Sequence, residues 1–172
     1  MKRHVVKDYY TEALFELLKR KPYQEISVID LVRKSGASRA SFYRNYISID
    51  QIVDEYCENV FGNVFEQHPI SADNVRDQVR SIFCHIYEQR DKLKLLRDAD
   101  LLDKMDKHVF EGTLSQINRN EVLNNRYQPY FFAGAASALI KAWVKYDFEE
   151  TPDEITEIFF RSLSGYMDID HI

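Results

Sequence analysis

Cysteine, tryptophan, glycine and proline are all scarce in this chain of 172 residues, which holds two Cys, one Trp, five Gly and four Pro. The two cysteines, Cys57 and Cys84, form no CxxC and cannot make a disulfide framework, and neither has a sequence neighbour that would activate a redox thiol. So little Gly and Pro argues against a sandwich or barrel built on many tight turns, and against disorder. No apolar run approaches the roughly 18 residues of a membrane span. The opening residues Met1–Asp8 lack the apolar stretch of a signal peptide, so a cytoplasmic location is expected. HExxH, paired Glu-x-x-His, GxSxG and phosphate-binding glycine loops are all missing. His85 and Glu88 share a helix face beside Cys84, but a partly exposed polar pair explains them better than a metal or nucleophile. No enzymatic activity, metal or cofactor is expected.

What remains is aromatic, apolar and helical in period. Aromatics make up 13% of the chain, with eleven Tyr and eleven Phe, and 45% of residues are apolar. The length suits one compact unit and buries about 70% of its unfolded surface. Val6, Tyr10, Ala13, Leu14 and Leu17 define a first helix, stopped by Pro22. Ser27 caps a short helix from Val28 to about Lys34, and Gly36 supplies a left-handed end. Ser38 caps a third helix over about 39–45. Ser48 with Gln51 is a capping box opening a long helix that carries Ile52, Val53, Tyr56, Val60 and Val64 and ends at Pro69. Ser71 caps the next, which runs to about Gln89. Further helices are predicted over 91–97, 100–118 and 127–146, the last with Pro129 in its first turn. Thr151-Pro152-Asp153-Glu154 starts another. The fold class is all-α, with about nine helices.

Charge is distributed unevenly. Residues 1–50 hold ten Lys/Arg against six Asp/Glu, a net of +4; residues 51–172 carry a net of −9. A basic end on an acidic body suggests a local polyanion-binding module. In 26–53 two short helices meet at Gly36, with Leu31, Val32, Ala37 and Phe42 available as a small core. The second helix offers Arg39, Ala40, Ser41, Tyr43, Arg44 and Asn45. From the residues alone, a DNA-reading helix-turn-helix and an ordinary helical hairpin fit equally well.

The pattern hydroxyl-x-x-x-Leu-Val-x-x-Ser-Gly-Ala-Ser-x-x-Ser-Phe-Tyr-x-x-Tyr-x-Ser resembles the DNA-binding domain of TetR-family transcriptional regulators. Tyr130–Ala136 through Trp143, followed by Thr151–Ile155, is similar to the family's last two helices. The resemblance implies a helix-turn-helix DNA-binding domain over 1–47 and a helical regulatory and dimerisation domain over 48–172. It places Ser27 on backbone phosphate and Ser38, Arg39, Ala40 and Ser41 at the groove end of the recognition helix. Tyr43 contacts phosphate, Asn45 holds a further contact position, and Arg44 is available to offset the backbone contact that a lysine at position 49 would make. Lys2, Arg3 and Lys7 add backbone contacts. Two departures stand out: Ile49 occupies a position where the family usually has Lys, and Tyr46 one where it usually has Phe.

The resemblance also implies a homodimer on a palindromic operator of double-stranded DNA, its recognition helices about 34–36 Å apart. Ala133, Ala136, Leu139, Trp143, Ile155, Phe159 and Leu163 are the expected interface, although the pattern alone fits packing within one chain equally well. A small apolar ligand is expected to bind between Phe61, Phe65, Phe83, Tyr87, Phe110, Tyr130 and Phe131, near Cys84, His85 and His108; plain core packing is the competing reading. The expected function is a repressor released from its operator by that ligand. The rival is a regulator of the same fold governed by a protein partner.

Overall fold

The computed structural model describes residues 2–62, 64, 74–119 and 126–164, with side chains described from Val6 onward and not for 116–119 or 164. Nine α-helices are delimited among these residues, and no strand. They are α1 (Lys2–Leu18), α2 (Val28–Ser35), α3 (Arg39–Asn45), α4 (Ile49–Cys57), α5 (Val75–Glu88), α6 (Arg90–Asp98), α7 (Leu102–Arg119), α8 (Gln128–Lys145) and α9 (Pro152–Ser164). A short 3₁₀ turn, Tyr23–Glu25, separates α1 from α2. No helix of the described residues is long and apolar enough to cross a membrane.

Local hydrogen bonding sets most of the helix starts. Ser48 Oγ accepts from the Gln51 N–H at 3.3 Å, and Gln51 Oε1 accepts from the Ile47 N–H at 2.9 Å. At α9 the Glu154 carboxylate accepts from both the N–H and the hydroxyl of Thr151, each at 2.8 Å. Each such cap satisfies donors that the first helical turn leaves open.

The long helix expected after Ser48 is modified. Its α-helical part ends at Cys57, and residues Glu58–Gly62 form a wider π turn. Val60 and Phe61 within it and Val64 beyond it are all buried, so the widening keeps the inward face continuous. The expected stop at Pro69 and cap at Ser71 lie outside the described residues, as do Phe65, the polar stretch 120–125 and the tail from 165.

Left-handed backbone makes two of the breaks. Asp100 (φ 59°) separates α6 from α7, and Asp147 (φ 60°) and Phe148 (φ 57°) turn the chain after α8. For a residue as bulky as Phe this conformation costs energy and must be held by its surroundings. The Phe148 ring lies 4.8 Å from that of Trp143, and its N–H donates to the Trp143 carbonyl at 2.9 Å.

One buried cluster runs through the whole chain, from Tyr10, Leu14 and Phe42 through Ile52, Ile86, Leu96 and Met105 to Trp143 and Ile155. Helix α4 packs on α1 at one side and on α7 at the other; α7 lies along α8, and α9 lies on α5. The core is therefore shared across the expected boundary at residue 47, and α4 is the element that joins the two parts.

Candidate nucleic-acid interface

The segment 27–48 folds as two short helices about a tight turn. Ser27 Oγ accepts from the Asp30 N–H at 3.2 Å, and Asp30 Oδ2 accepts from the Ser27 N–H at 2.9 Å and hydroxyl at 2.6 Å. Lys21 Nζ adds a further bond to the same oxygen at 2.6 Å. Lys21 first, then Ser27, hold the Asp30 carboxyl well below the usual carboxylate range. Gly36 closes α2 at φ 72°, where an L side chain would be strained. Ser38 caps α3 by accepting from the Ser41 N–H at 3.1 Å.

An aromatic cluster fixes α3 against α1. Phe42 is fully buried, and its ring meets Tyr10 edge-on at 5.5 Å and Tyr46 at 5.9 Å. The Tyr10 hydroxyl donates to the Ser38 carbonyl at 3.0 Å, tying the start of α3 to the middle of α1. Leu31 is also fully buried, and Val32 and Ala37 pack against the cluster, so the small core read from the sequence forms.

That anchoring leaves one face of α3 outside. Arg39, Ala40, Tyr43 and Arg44 are exposed, and Ser41 and Asn45 are half-buried. Asn45 Nδ2 donates to the Ser41 carbonyl at 2.7 Å, so part of its donor capacity is used within the helix. The Ser27 proton is already given to Asp30, whereas Ser38 uses its oxygen only as an acceptor.

The charges of this head are sorted by residue type. Lys7 pairs with Glu55 at 2.6 Å, Lys19 with Glu16 at 2.7 Å, Lys21 with Asp30 at 2.6 Å and Lys34 with Glu16 at 3.9 Å. Arg20, Arg33, Arg39 and Arg44 make no ion pair among the described residues. Lys19 and Lys34 answer Glu16, Lys21 answers Asp30 and Lys7 reaches Glu55 of α4, whereas no guanidinium of the head lies within ion-pair distance of a described carboxylate, Arg20 acting on Glu16 only at longer range. Lys7 departs from expectation: with Glu55 as its partner and the Tyr46 ring 5.4 Å away, its ammonium is engaged between α1 and α4. The side chains of Lys2 and Arg3 lie outside the described residues.

Both departures from the family pattern have a structural setting. Ile49 is half-buried against the core, so it provides packing where a lysine would offer charge. Two residues before it, Ile47 is 87% exposed beside α3, and nothing polar in the sequence marks it as a surface residue. Tyr46 is 2% exposed, and its hydroxyl is buried beside Thr11 without a well-formed hydrogen bond. A buried, unsatisfied hydroxyl costs free energy that an apolar ring of the same shape does not. Tyr46→Phe is therefore expected to raise the unfolding free energy by about 1 kcal/mol. Urea denaturation measures it, and a loss of stability would show that the hydroxyl is satisfied in solution.

The residues expected at a subunit interface divide. Ala133, Ala136, Trp143, Ile155 and Leu163 are buried within the chain, whereas Leu139 and Phe159 are half-buried. Ala133, Ala136 and Trp143 lie on the side of α8 that faces the core, and Ile155 and Leu163 are buried on α9. The opposite side of α8 carries Tyr127, Phe131, Ala135, Ala138, Ala142 and Tyr146 at three- and four-residue spacing. Tyr127, Phe131 and Tyr146 are each more than half exposed.

The expected pocket walls also separate. Phe61 and Phe83 are core, and Tyr87 stacks on Trp143 at 5.7 Å and 21°. Phe110 is half-buried against Tyr130 at 6.4 Å, and Tyr130 and Phe131 are exposed on α8 rather than facing inward. Phe65 lies outside the described residues. Cys84, His85 and His108 are half-buried on α5 and α7. Burial pushes the Cys57 thiol up to about 12, so it holds no reactive thiolate. Two grooves among the described residues are lined largely by charged side chains. One of about 570 Å³ lies between α5 and α9, where Arg76 meets Glu157 and Arg80 meets Asp153. Another, of about 450 Å³, lies between α7 and α8, beside Asp103, Asp106, Phe110 and Lys141.

A helix-turn-helix head carried on an all-helical body through one connecting helix is the architecture of a transcriptional regulator. Residues 73–165, just over half of the chain, match the TetR-type model described as a transcriptional regulator C-terminal region. The chain belongs to the TetR family of transcriptional regulators. The fold is similar to that of a TetR transcriptional regulator from Streptococcus agalactiae, with a TM-score of 0.64 and 17% identity over 94% of each chain. It is also similar to the dihydroxyacetone kinase operon activator DhaS, with a TM-score of 0.60 and 14% identity over 96% of this chain and 97% of that one. No curated protein matches the sequence.

Proposed function

We propose that this protein is a homodimeric, sequence-specific DNA-binding regulator that represses from a palindromic operator and is released by a small ligand. The observation that carries the DNA-binding part is the charge sorting of the head. None of the four arginines of 6–48 makes an ion pair among the described residues, and Arg39 and Arg44 stand exposed on α3 beside Tyr43. Unpaired guanidiniums are suited to guanine edges and to phosphate, and they need no internal bond broken first. In this reading residues 1–47 read DNA, using Ser27, Ser38, Arg39, Ala40, Ser41, Tyr43, Arg44 and Asn45, and residues 48–172 dimerise and regulate. The exposed stripe from Tyr127 to Tyr146 on α8 serves as the isologous contact, since its alanines admit close helix approach. A ligand acts by favouring a tilt of α4 that spaces the two recognition helices wrongly.

A second reading, control by a protein partner, is favoured by one observation. Tyr130 and Phe131, expected inside a pocket, are exposed on α8.

The test is selection from a random duplex pool with purified protein at about 150 mM salt, where purely electrostatic binding is weak. A palindrome is expected, with enrichment lost on Tyr43→Ala. No enrichment by a folded dimer would overturn autonomous recognition and put the partner-controlled reading first.

A further inference from the structure

Charge pairs of both senses join the head, the connecting helix α4 and the rest of the body, and Lys7 of α1 pairs with Glu55 of α4 at 2.6 Å. Two lysines of the body reach carboxylates on the head and its connecting helix. Lys92 of α6 lies 2.5 Å from Glu12 of α1, with the rings of Phe15 and Tyr56 at 5.3 and 5.8 Å. Lys104 of α7 lies 3.1 Å from Asp54 and 3.3 Å from Asp50, both on α4. Asp50 in turn accepts from the Tyr23 hydroxyl at 2.9 Å, in the turn that leads into α2. On the other side, Asp103, adjacent to Lys104, pairs with Lys141 of α8 at 2.7 Å. A line of charge contacts therefore runs from α8 through α7 and α4 to the base of the reading head.

The position of this line gives it a use. Asp50 and Asp54 lie on the α-helical part of α4, and the π turn at Glu58–Gly62 follows within four residues. A π turn interrupts the regular hydrogen-bond ladder, so the α4 segment is not a rigid extension of what comes after it. An isolated exposed ion pair would do little to fix its angle. Here one lysine side chain, 27% exposed, answers two half-exposed carboxylates, and a phenol holds one of those in place.

We infer that Lys104 is a positioning residue: it sets the angle at which the body holds the reading head, and hence the half-site spacing that the dimer accepts. This rests on the DNA-binding reading above, and the experiment separates the two. Full-length wild type, Lys104→Glu and the swap Lys104→Glu with Asp54→Lys are offered paired half-sites joined by spacers of different length. Hydrogen exchange of the amides of 50–57 is followed in the same proteins without DNA.

Wild type is expected to enrich one spacer. Lys104→Glu enriches several, with single half-site affinity changed less than about twofold, because α2 and α3 are untouched. Its α4 amides exchange about tenfold faster. The swap restores both the single spacer and the protection. An unchanged spacer in Lys104→Glu overturns the inference, even where exchange is faster, because the role is then merely structural. Loss of single half-site affinity overturns it too. If wild type binds no DNA, the proposed function has failed, and exchange alone decides: unchanged protection overturns the clasp, and loss restored by the swap sustains it.

Discussion

Trp143→Ala is expected to lower the unfolding free energy by about 3–5 kcal/mol, the range for emptying a buried aromatic site. Trp143, 1% exposed, is the hub of the body. Its ring meets Phe83 edge-on at 5.8 Å, stacks on Tyr87 at 5.7 Å and lies 4.8 Å from Phe148. Its indole N–H donates to the Glu150 carbonyl at 3.0 Å. The loss goes beyond the cavity, because Phe148 sits at φ 57° and depends on that ring to stay there. Arg97 braces the same turn, donating to the Val144 carbonyl at 3.1 Å and to Asp147 at 2.8 Å. Trp143→Phe keeps an aromatic ring but drops the bond to Glu150, so its loss is expected to be clearly smaller. Trp143 is the only tryptophan, so unfolding in urea is followed by helical circular dichroism rather than by indole fluorescence. A loss under about 1 kcal/mol for the alanine variant would mean that the cluster relaxes around the gap and that Phe148 has another support.

The same residue marks where the sequence stopped being legible. Helices were readable because their signals are local: a serine or threonine cap, an acid or amide three residues on, and apolar residues at 3.6-residue spacing. The helix-turn-helix was readable for the same reason, since Ser27, Gly36, Ser38 and Phe42 lie within sixteen residues and each acts on its near neighbours. Helix α8 was different. It is apolar on nearly every side, with alanine on both its buried and its exposed face, so periodicity did not say which way Trp143 pointed. The resemblance placed it at a subunit contact, and the structure turns it inward. The left-handed turns at Asp100, Asp147 and Phe148 carry no glycine to announce them. The π turn depends on packing against α7, which no local pattern encodes. Ion-pair partners were equally hidden. Lys104 and Asp54 are 50 residues apart and Lys92 and Glu12 are 80 apart, so only the folded chain shows which lysines are engaged and which arginines are left free.

That division between engaged and free cations leads to the largest functional effect. Substituting both Arg39 and Arg44 by Ala is expected to weaken operator binding by at least about a hundredfold, because each guanidinium contact contributes about 1–3 kcal/mol and a dimer loses every contact twice. The salt dependence separates their roles. Each lost phosphate contact makes the slope of log affinity against log salt shallower by about 0.9. If Arg44 holds phosphate, Arg44→Ala in a dimer flattens the slope by roughly 2 and leaves the selected sequence unchanged. If Arg39 reads a base, Arg39→Ala relaxes one position in each half-site. Ile49→Lys acts in the opposite sense: it offers phosphate the charge that this chain lacks there and steepens the slope by up to about 2 per dimer. Lys19→Ala and Lys34→Ala are the decisive contrast. They remove the same formal charge from the same head, but both ammoniums already face Glu16, so the slope should change far less than for the arginines. Equal flattening by lysine and arginine substitutions would show that net charge alone drives binding, and the sorting of charges in the head would then have no part in recognition.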